Sequence, residues 1–427
     1  MKRVLVVGGG GREHALLRRL LRSPQHPDLL AAPGNAGIAR DQVPCLDVGA
    51  EDIDGLVRVA RDERVDLVAV GPEAPLVAGL VDALAREGIP ALGPSAAAAR
   101  LEGSKAYGKQ LMREVGVPTA SYMVLHSREE AEAQLPCASY PAVLKADVLA
   151  AGKGVIIAET EGEAREAVDA FFGEKRFGET EVVLEEYLVG EELSLLALCD
   201  GERAVPMAPA QDYKRIYDGD QGPNTGGMGS YSPVPGIDAD HARAIALAIH
   251  QPVVDELRRR GTPYHGVLYA GLMMTADGPK TLEFNCRFGD PETQAILPRL
   301  RSDLLDLLER STRPGGLEGV EIEWSPRWAV TVVLASRGYP ESSSKGDTIT
   351  GLSAIDSIDT EVLHAGTAER DSELVTAGGR VLNVTGLGDD PAEARDRAYS
   401  AADFIDFPGK QLRRDIAARA VERLAAL

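Results

Sequence analysis

Aromatic side chains are scarce in this chain, 5% of 427 residues with two Trp, and there are four cysteines. Cys45, Cys137, Cys199 and Cys286 stand far apart, in neither a metal-ligand spacing nor a disulfide framework, so reduced thiols are expected. Long apolar runs are missing as well. None reaches the ~20 residues of a membrane span, and Met1-Lys2-Arg3-Val4-Leu5-Val6-Val7 breaks into glycines too early for a signal peptide. Positive charge is in deficit, 46 Lys and Arg against 66 Asp and Glu, a formal net charge of −20. Such a surface repels nucleic acid and anionic membrane, yet a local cluster of Lys and Arg can still hold an anionic metabolite. No His has a zinc-like spacing and no Gly-x-Ser-x-Gly elbow occurs, so covalent serine or cysteine catalysis has no support. The expected setting is cytoplasmic, with small-molecule partners and neither nucleic acid nor membrane.

Hydrophobic residues at 44% and charged residues at 26% fit a folded protein of two to four packed units. Residues 1 to about 100 alternate short apolar strands (4–7, 66–70, 89–92) with helical stretches (12–22, 76–86), the rhythm of a parallel sheet wrapped by helices. After about Ser104 the rhythm changes. Residues 142–146 and 154–158 read as an antiparallel hairpin, followed by a helix over 161–172 and strands over 181–187, 193–198 and 204–207. A polar loop over 211–235 precedes strands 267–275 and 280–284 and helical segments from 292 to 309. Residues 311–319, rich in Gly and Pro, predict a linker. Beyond them an α+β tail has strands at 329–335 and 381–387 and a helix opening at Pro391.

Five segments point to chemistry. Gly8-Gly9-Gly10-Gly11-Arg12-Glu13-His14 follows a strand and opens a helix, a place where backbone amides meet an anion. Glu13 stands where a dinucleotide fingerprint needs its third glycine, which weakens a nicotinamide reading. A phosphate on a small substrate and a tight turn with no ligand remain. Lys145-Ala146-Asp147-Val148-Leu149-Ala150-Ala151-Gly152-Lys153-Gly154 sets two lysines in a small-residue loop that can cover phosphates; it is no Walker A loop, and solvated lysines are the plainer reading. Glu185-Glu186-Tyr187-Leu188-Val189-Gly190-Glu191-Glu192 suits either an acidic turn or a hinge offering backbone to an adenine edge. Residues 211–231 mix Gly with Asp, Asn, Thr, Lys and Arg, and two tyrosines and a methionine argue for packing over disorder. Last, Glu283-Phe284-Asn285-Cys286-Arg287-Phe288-Gly289-Asp290 alternates. Glu283, Asn285 and Arg287 share one face and Phe284, Cys286 and Phe288 the other. Glu and Asn oxygens two residues apart suit Mg²⁺, and Arg287 suits a carboxylate or phosphate. An ordinary amphipathic strand with an Arg–Glu pair fits the same pattern.

Together these segments resemble the glycinamide ribonucleotide synthetase family, phosphoribosylamine–glycine ligases of the ATP-grasp superfamily. The resemblance is carried by the opening glycine segment through Leu16, by Pro33-Gly34-Asn35-Ala36-Gly37 and by Gly71-Pro72-Glu73-Ala74-Pro75-Leu76. It continues in Ser104-Lys105, the Lys145 segment, residues 220–231 and 283–294, Gly378-Gly379-Arg380-Val381-Leu382-Asn383-Val384-Thr385 and Arg413-Arg414-Asp415-Ile416, in order along nearly the whole chain.

The resemblance implies an α/β and α+β multidomain protein. Its parts would be a parallel-sheet substrate domain over 1–103, an ATP-grasp region over 104–311 (small lobe about 120–190, central lobe about 191–311) and a C-terminal domain over 320–427. It implies ATP-dependent joining of glycine to 5-phosphoribosylamine through a glycyl phosphate in purine biosynthesis, with Mg²⁺ or Mn²⁺, in a monomer. Lys105, Lys145, Gly152, Lys153 and Gly154 would meet ATP phosphates, Glu185, Glu186, Tyr187 and Leu188 adenine, and Glu192 ribose. Glu283 and Asn285 would hold metal. Gly10, Gly11, Arg12, Glu13, Asn224, Thr225, Gly226, Gly227, Met228, Gly229, Arg287 and Asp290 would surround glycine and phosphoribosylamine, with Arg287, Lys145 and Asp212 serving the chemistry. Val148 and Arg337 depart from the family pattern, each where glycine is expected, and Ser342–Ser344 varies the segment after Arg337. Three other readings compete. They are a carboxylate–amine ligase for different substrates, a nicotinamide-dependent dehydrogenase and a catalytically silent ATP-binding module.

Overall fold

In the computed structural model, which describes residues 1–149, 154–355 and 357–425, the first strand is Arg3–Gly8, whose Val4–Val7 are wholly buried. It lies inside a parallel sheet ordered Asp28–Pro33, Arg3–Gly8, Leu67–Val70, Ala91–Leu92. The strand Asp28–Pro33 is an addition to the sequence reading. Its Leu29, Leu30, Ala31 and Ala32 are buried, while Asp28 pairs with Arg3 at 2.7 Å on the neighbouring strand. The helix expected over 76–86 is two helices, Glu73–Val77 and Leu80–Arg86. Gly79 separates them at φ +89, a left-handed conformation that stops a right-handed helix. The segments after Gly8, Pro33 and Val70 emerge side by side at the carboxyl ends of their strands, where open α/β sheets form their crevice.

Two antiparallel sheets follow. One is ordered Tyr122–Leu125, Val182–Glu186, Ala142–Ala146, Val155–Ala158. The other is ordered Ala204–Pro206, Glu191–Asp200, His265–Thr275, Gly278–Asn285. Both hairpins read from the sequence are present. Along the last strand and the three residues after it, Phe284, Cys286 and Phe288 are buried while Glu283, Asn285 and Arg287 stay partly open, the expected alternation.

The segment 211–235 is ordered. It contains the strand pair Arg215–Tyr217 and Gln221–Asn224 and the strand Gly229–Ser232. Met228 and Tyr231 are almost fully buried, so apolar anchors fix an otherwise polar stretch. Gly229–Ser232 pairs with Trp328–Ala335, which pairs with Arg380–Gly388 and then Thr360–His364. Gln211–Asp212 pairs with the outer side of Gly229–Ser232, so the C-terminal sheet borrows two strands from the middle of the chain. The helix Pro391–Phe404 covers that sheet. The predicted linker over 311–319 is packed, with Leu317 buried and its N–H donating to the Asp200 carboxylate at 2.7 Å.

Candidate functional site

A cleft of about 750 Å³ opens where these sheets meet, within the usual range for a small-molecule site. Its walls come from distant parts of the chain, including Arg12 and Glu73, Lys105 to Lys109, Lys145, residues 185–192, Asp212, Lys214, Glu283 to Arg287, and Arg380.

One wall is built on lysine. Ser104 caps the helix Lys105–Val115 by accepting from the Tyr107 N–H, and the Asp147 carboxylate accepts from the Ser104 hydroxyl and the Ala106 N–H. That capping fixes Lys105 at the first helical position and Lys109 one turn on, on the same face. Lys105 donates to the Val148 carbonyl at 2.7 Å. Glu185 takes two lysines at once, Lys109 at 2.8 Å and Lys145 at 2.9 Å, leaving surplus positive charge around a buried carboxylate. Burial and the neighbouring lysine push Lys109 down to about 8, against the pull of Glu185. Burial likewise lowers Lys105. Lys214 pairs with Glu192 at 2.5 Å, and Glu192 and Asp212 hold it charged in spite of burial.

The facing wall is built on arginine. Arg287 meets Glu73 and Glu102 at 3.2 Å each and Asn285 Oδ1 at 3.2 Å. Arg380 pairs with Asp290 at 3.1 Å and donates to the carbonyls of Asp290 and Gly226. Gln294 donates to the other Asp290 oxygen at 2.7 Å. Arg12 pairs with Glu13 at 2.6 Å and donates to the Phe288 carbonyl. Between the walls stands Glu283. Burial alone would raise its pKa, but Lys214, Lys145, Lys105 and Arg287 hold it below the usual carboxylate range.

The sequence-chosen residues divide accordingly. Lys105, Lys145, Gly154, Glu185, Glu186, Tyr187, Leu188, Glu192, Asp212, Asn224, Thr225, Gly226, Glu283, Asn285, Arg287, Asp290 and Arg12 line the cleft. Glu185 spends its carboxylate on the two lysines and its backbone lies within the sheet between Tyr122 and Val143, so a base edge must be met by the residues after it. Met228 lies in a small apolar cluster with Ile216, Val333 and Ala335, and Gly229 pairs with Val332 in the C-terminal sheet. Gly227 packs on Pro291. Glu13 is buried, accepting from the Gly10 N–H at 2.6 Å and from Arg12. A Cβ on Gly8, Gly10 or Gly71 would strike the Glu13 carboxyl group. The glycines therefore make room for Glu13, the residue that breaks the dinucleotide fingerprint, and Gly11 packs on Asn383 and Gln294. Gly152 and Lys153 lie outside the described residues. Lys109 and Glu102 were not singled out from sequence, and Glu73, Lys214 and Arg380, though inside segments that were, had no role assigned. Helical i,i+4 spacing from Lys105 is the signal that marks Lys109.

Glu283 and Asn285 fit a divalent cation. Their oxygens reach the cleft from successive positions of one strand face, and Glu283 is held charged. Among the described residues no group of three His, Cys, Asp or Glu side chains is arranged to hold a metal. This donor set suits a hard cation that completes its shell with phosphate and water.

Three family models match the chain. They are the phosphoribosylglycinamide synthetase N domain over residues 2–102, its ATP-grasp (A) domain over 103–293 and its C domain over 329–419. A phosphoribosylamine–glycine ligase of Streptomyces coelicolor is 49% identical over 426 residues, covering 98% of this chain and 99% of its own. One of Ralstonia nicotianae is 48% identical over 425 residues, covering 99% and 100%. The crystal structure of phosphoribosylamine–glycine ligase from Thermotoga maritima aligns with TM-score 0.83 at 36% identity, over 97% of this chain and all of that one. A biotin carboxylase domain from Hydrogenobacter thermophilus, solved with MgADP and bicarbonate, shares the fold at TM-score 0.72 and 18% identity, over 96% of this chain and 91% of that one.

Proposed function

The chain belongs to the phosphoribosylglycinamide synthetase family, and from that premise we propose how its cleft performs the ATP-dependent joining of glycine to 5-phosphoribosylamine. It is a ligase of purine biosynthesis with the family's three-domain architecture, for which the division at 1–103, 104–311 and 320–427 is our reading. The observation that carries the mechanism is Glu283, a charged carboxylate set between a lysine wall and an arginine wall.

Glycine's carboxylate is a poor electrophile, so ATP must first convert it to a glycyl phosphate, with ADP leaving. Lys105 and Lys145 neutralise charge spreading over the transferred phosphoryl oxygens, and the Glu185 clamp fixes the Lys145 ammonium for that task. Of the residues 185–188 assigned to adenine, those from Glu186 to Leu188 at the strand end offer backbone to it, and Glu192 offers its carboxylate to the ribose. Glu283 and Asn285 would hold Mg²⁺ or Mn²⁺, which when bound supplies charge neutralisation on phosphate oxygens. Arg287 faces the carboxyl group being activated and then the oxyanion formed when the amine of phosphoribosylamine attacks, which collapses to the amide as the bond to phosphate breaks and inorganic phosphate leaves. Asp212, pushed up by burial and by Glu292 and Glu192 against the pull of Lys214, stands ready to take the proton that amine gives up. Asn224, Thr225, Gly226 and Asp290 frame the acceptor. A cytoplasmic monomer completes the reading.

The deciding experiment is ADP release from Mg·ATP. We expect it to require glycine and phosphoribosylamine together. Release that depends on another acid and amine, and not on these, overturns the assignment.

A further inference from the structure

The segment Arg413-Arg414-Asp415-Ile416 has no part in the chemistry above, yet Arg413 is the largest fully buried side chain among the described residues. Its guanidinium meets Asp415 twice, at 2.8 and 2.6 Å, and Asp220 at 2.9 Å, and donates to the Arg215 carbonyl at 3.0 Å. Its carbon centre lies 4.8 Å from the centroid of the Tyr213 ring. Two neighbours reinforce the grip. The Arg414 N–H donates to Asp218 at 2.7 Å, and the Gly219 N–H donates to Asp415 at 2.9 Å. Arg215, Asp218, Gly219 and Asp220 all belong to the strand pair Arg215–Tyr217 and Gln221–Asn224 and its turn. Asp220 adopts φ +56, a conformation that costs a non-glycine residue. The strand pair runs directly into Asn224, Thr225 and Gly226 of the cleft, with Arg215 opposite Asn224.

We propose that Arg413 is a positioning residue for the acceptor substrate, holding the strand pair so that Asn224, Thr225 and Gly226 face the cleft. The planar guanidinium is the group that can reach Asp415, Asp220 and a carbonyl at once, and an ammonium cannot reproduce that fork. The ligand concerned is the phosphorylated amine, because the strand pair ends on the arginine wall beside Asp290. This inference rests on the reading of residues 224–226 as acceptor-binding.

The test uses the full-length enzyme with Arg413→Lys and the milder Asp220→Asn, whose side chain is partly exposed. Both variants are expected to raise KM for phosphoribosylamine about tenfold, below the ~100-fold of a full 1 Å misplacement. KM for ATP and kcat stay near the parent values, and hydrogen exchange quickens at residues 217–224. An unchanged KM for the amine with unchanged exchange overturns the proposal. So does a uniform fall in all constants that follows loss of folded protein in a thermal melt. Asn224→Ala tests the underlying reading. If it too leaves the amine KM unchanged, residues 224–226 are not acceptor-binding and the reading fails with the proposal. A raised KM in Asn224→Ala beside an unchanged KM in Arg413→Lys overturns the proposal alone.

Discussion

The two walls of the cleft handle charge in different ways. On the lysine wall, Lys109 and Lys145 share the single carboxylate of Glu185 and Lys105 donates to a carbonyl. Positive charge is left uncompensated there and partly tunable by pH. On the arginine wall each guanidinium has its own acid, Arg12 with Glu13, Arg380 with Asp290, and Arg287 with Glu73 and Glu102 together. Arginines do not titrate, and their planar forks fix direction. The lysine wall therefore suits a polyanion that arrives, changes charge and departs. The arginine wall suits a frame whose geometry must not change while an acyl group is attacked.

Glu283 stands between the walls, and its loss should have the largest effect. Glu283→Ala removes the charged donor toward the cation and the negative charge that faces Lys105, Lys145 and Lys214. We expect turnover to fall by about 10³-fold, the scale of losing one strong electrostatic contact to a transition state, with an unchanged circular dichroism spectrum. Near-normal turnover at saturating Mg²⁺ would remove Glu283 from the metal role.

Arg287→Lys breaks the frame next. An ammonium cannot span Glu73, Glu102 and Asn285 together, so at least one of the two partly buried acids loses its arginine. A loss of about 10²-fold in kcat at saturating ATP is expected. If KM for ATP rises instead and kcat holds, Arg287 belongs functionally to the lysine wall and the two walls do not divide the work between them.

Why one wall was easier to read than the other follows from distance along the chain. The face of Glu283, Asn285 and Arg287 was legible because strand alternation is a local property, and both hairpins were legible for the same reason. The partners of Arg287 were not, since Glu73 and Glu102 lie 214 and 185 residues away and only the fold brings them in. Gly10, Gly11 and Glu13 looked like a ligand loop because glycine beside a helix start signals close approach. In the structure the Glu13 carboxylate approaches Gly10, and Asn383 and Gln294 approach Gly11. Met228 and Gly229 sit in a polar, glycine-rich stretch whose buried role appears only once Gly229–Ser232 is paired with Trp328–Ala335.

Lys109 sharpens the contrast through pH. Its folded pKa, about 8, lies below the unfolded value of a lysine, about 10.4. Between those values the unfolded state binds more protons, so stability rises with pH there; the cost of burying the ammonium is fully present below pH 8. Activity should move the opposite way. As Lys109 loses its proton, Glu185 keeps only Lys145, and KM for ATP should climb roughly tenfold from about pH 8 upward. Lys109→Arg should abolish that alkaline limb, because a guanidinium stays charged. A limb that survives the substitution assigns it to another group, with Lys105 the first candidate.

The smallest effect is expected from the far end of the arginine wall. A Cβ placed on Gly11 would come within 2.3 Å of Asn383 Nδ2 and 2.7 Å of Gln294 Nε2. The Gln294 amide is the group that donates to Asp290 Oδ1, opposite Arg380. Gly11→Ala should therefore cost about 1–3 kcal/mol of stability by overpacking, read as a lower melting temperature. The displaced Gln294 should loosen Asp290 enough to raise KM for phosphoribosylamine about threefold, which is well under 1.4 kcal/mol of binding. KM for ATP, governed by the opposite wall, should not move. If both constants rise together, the two walls yield as one body, and their separation describes charge but not mechanics.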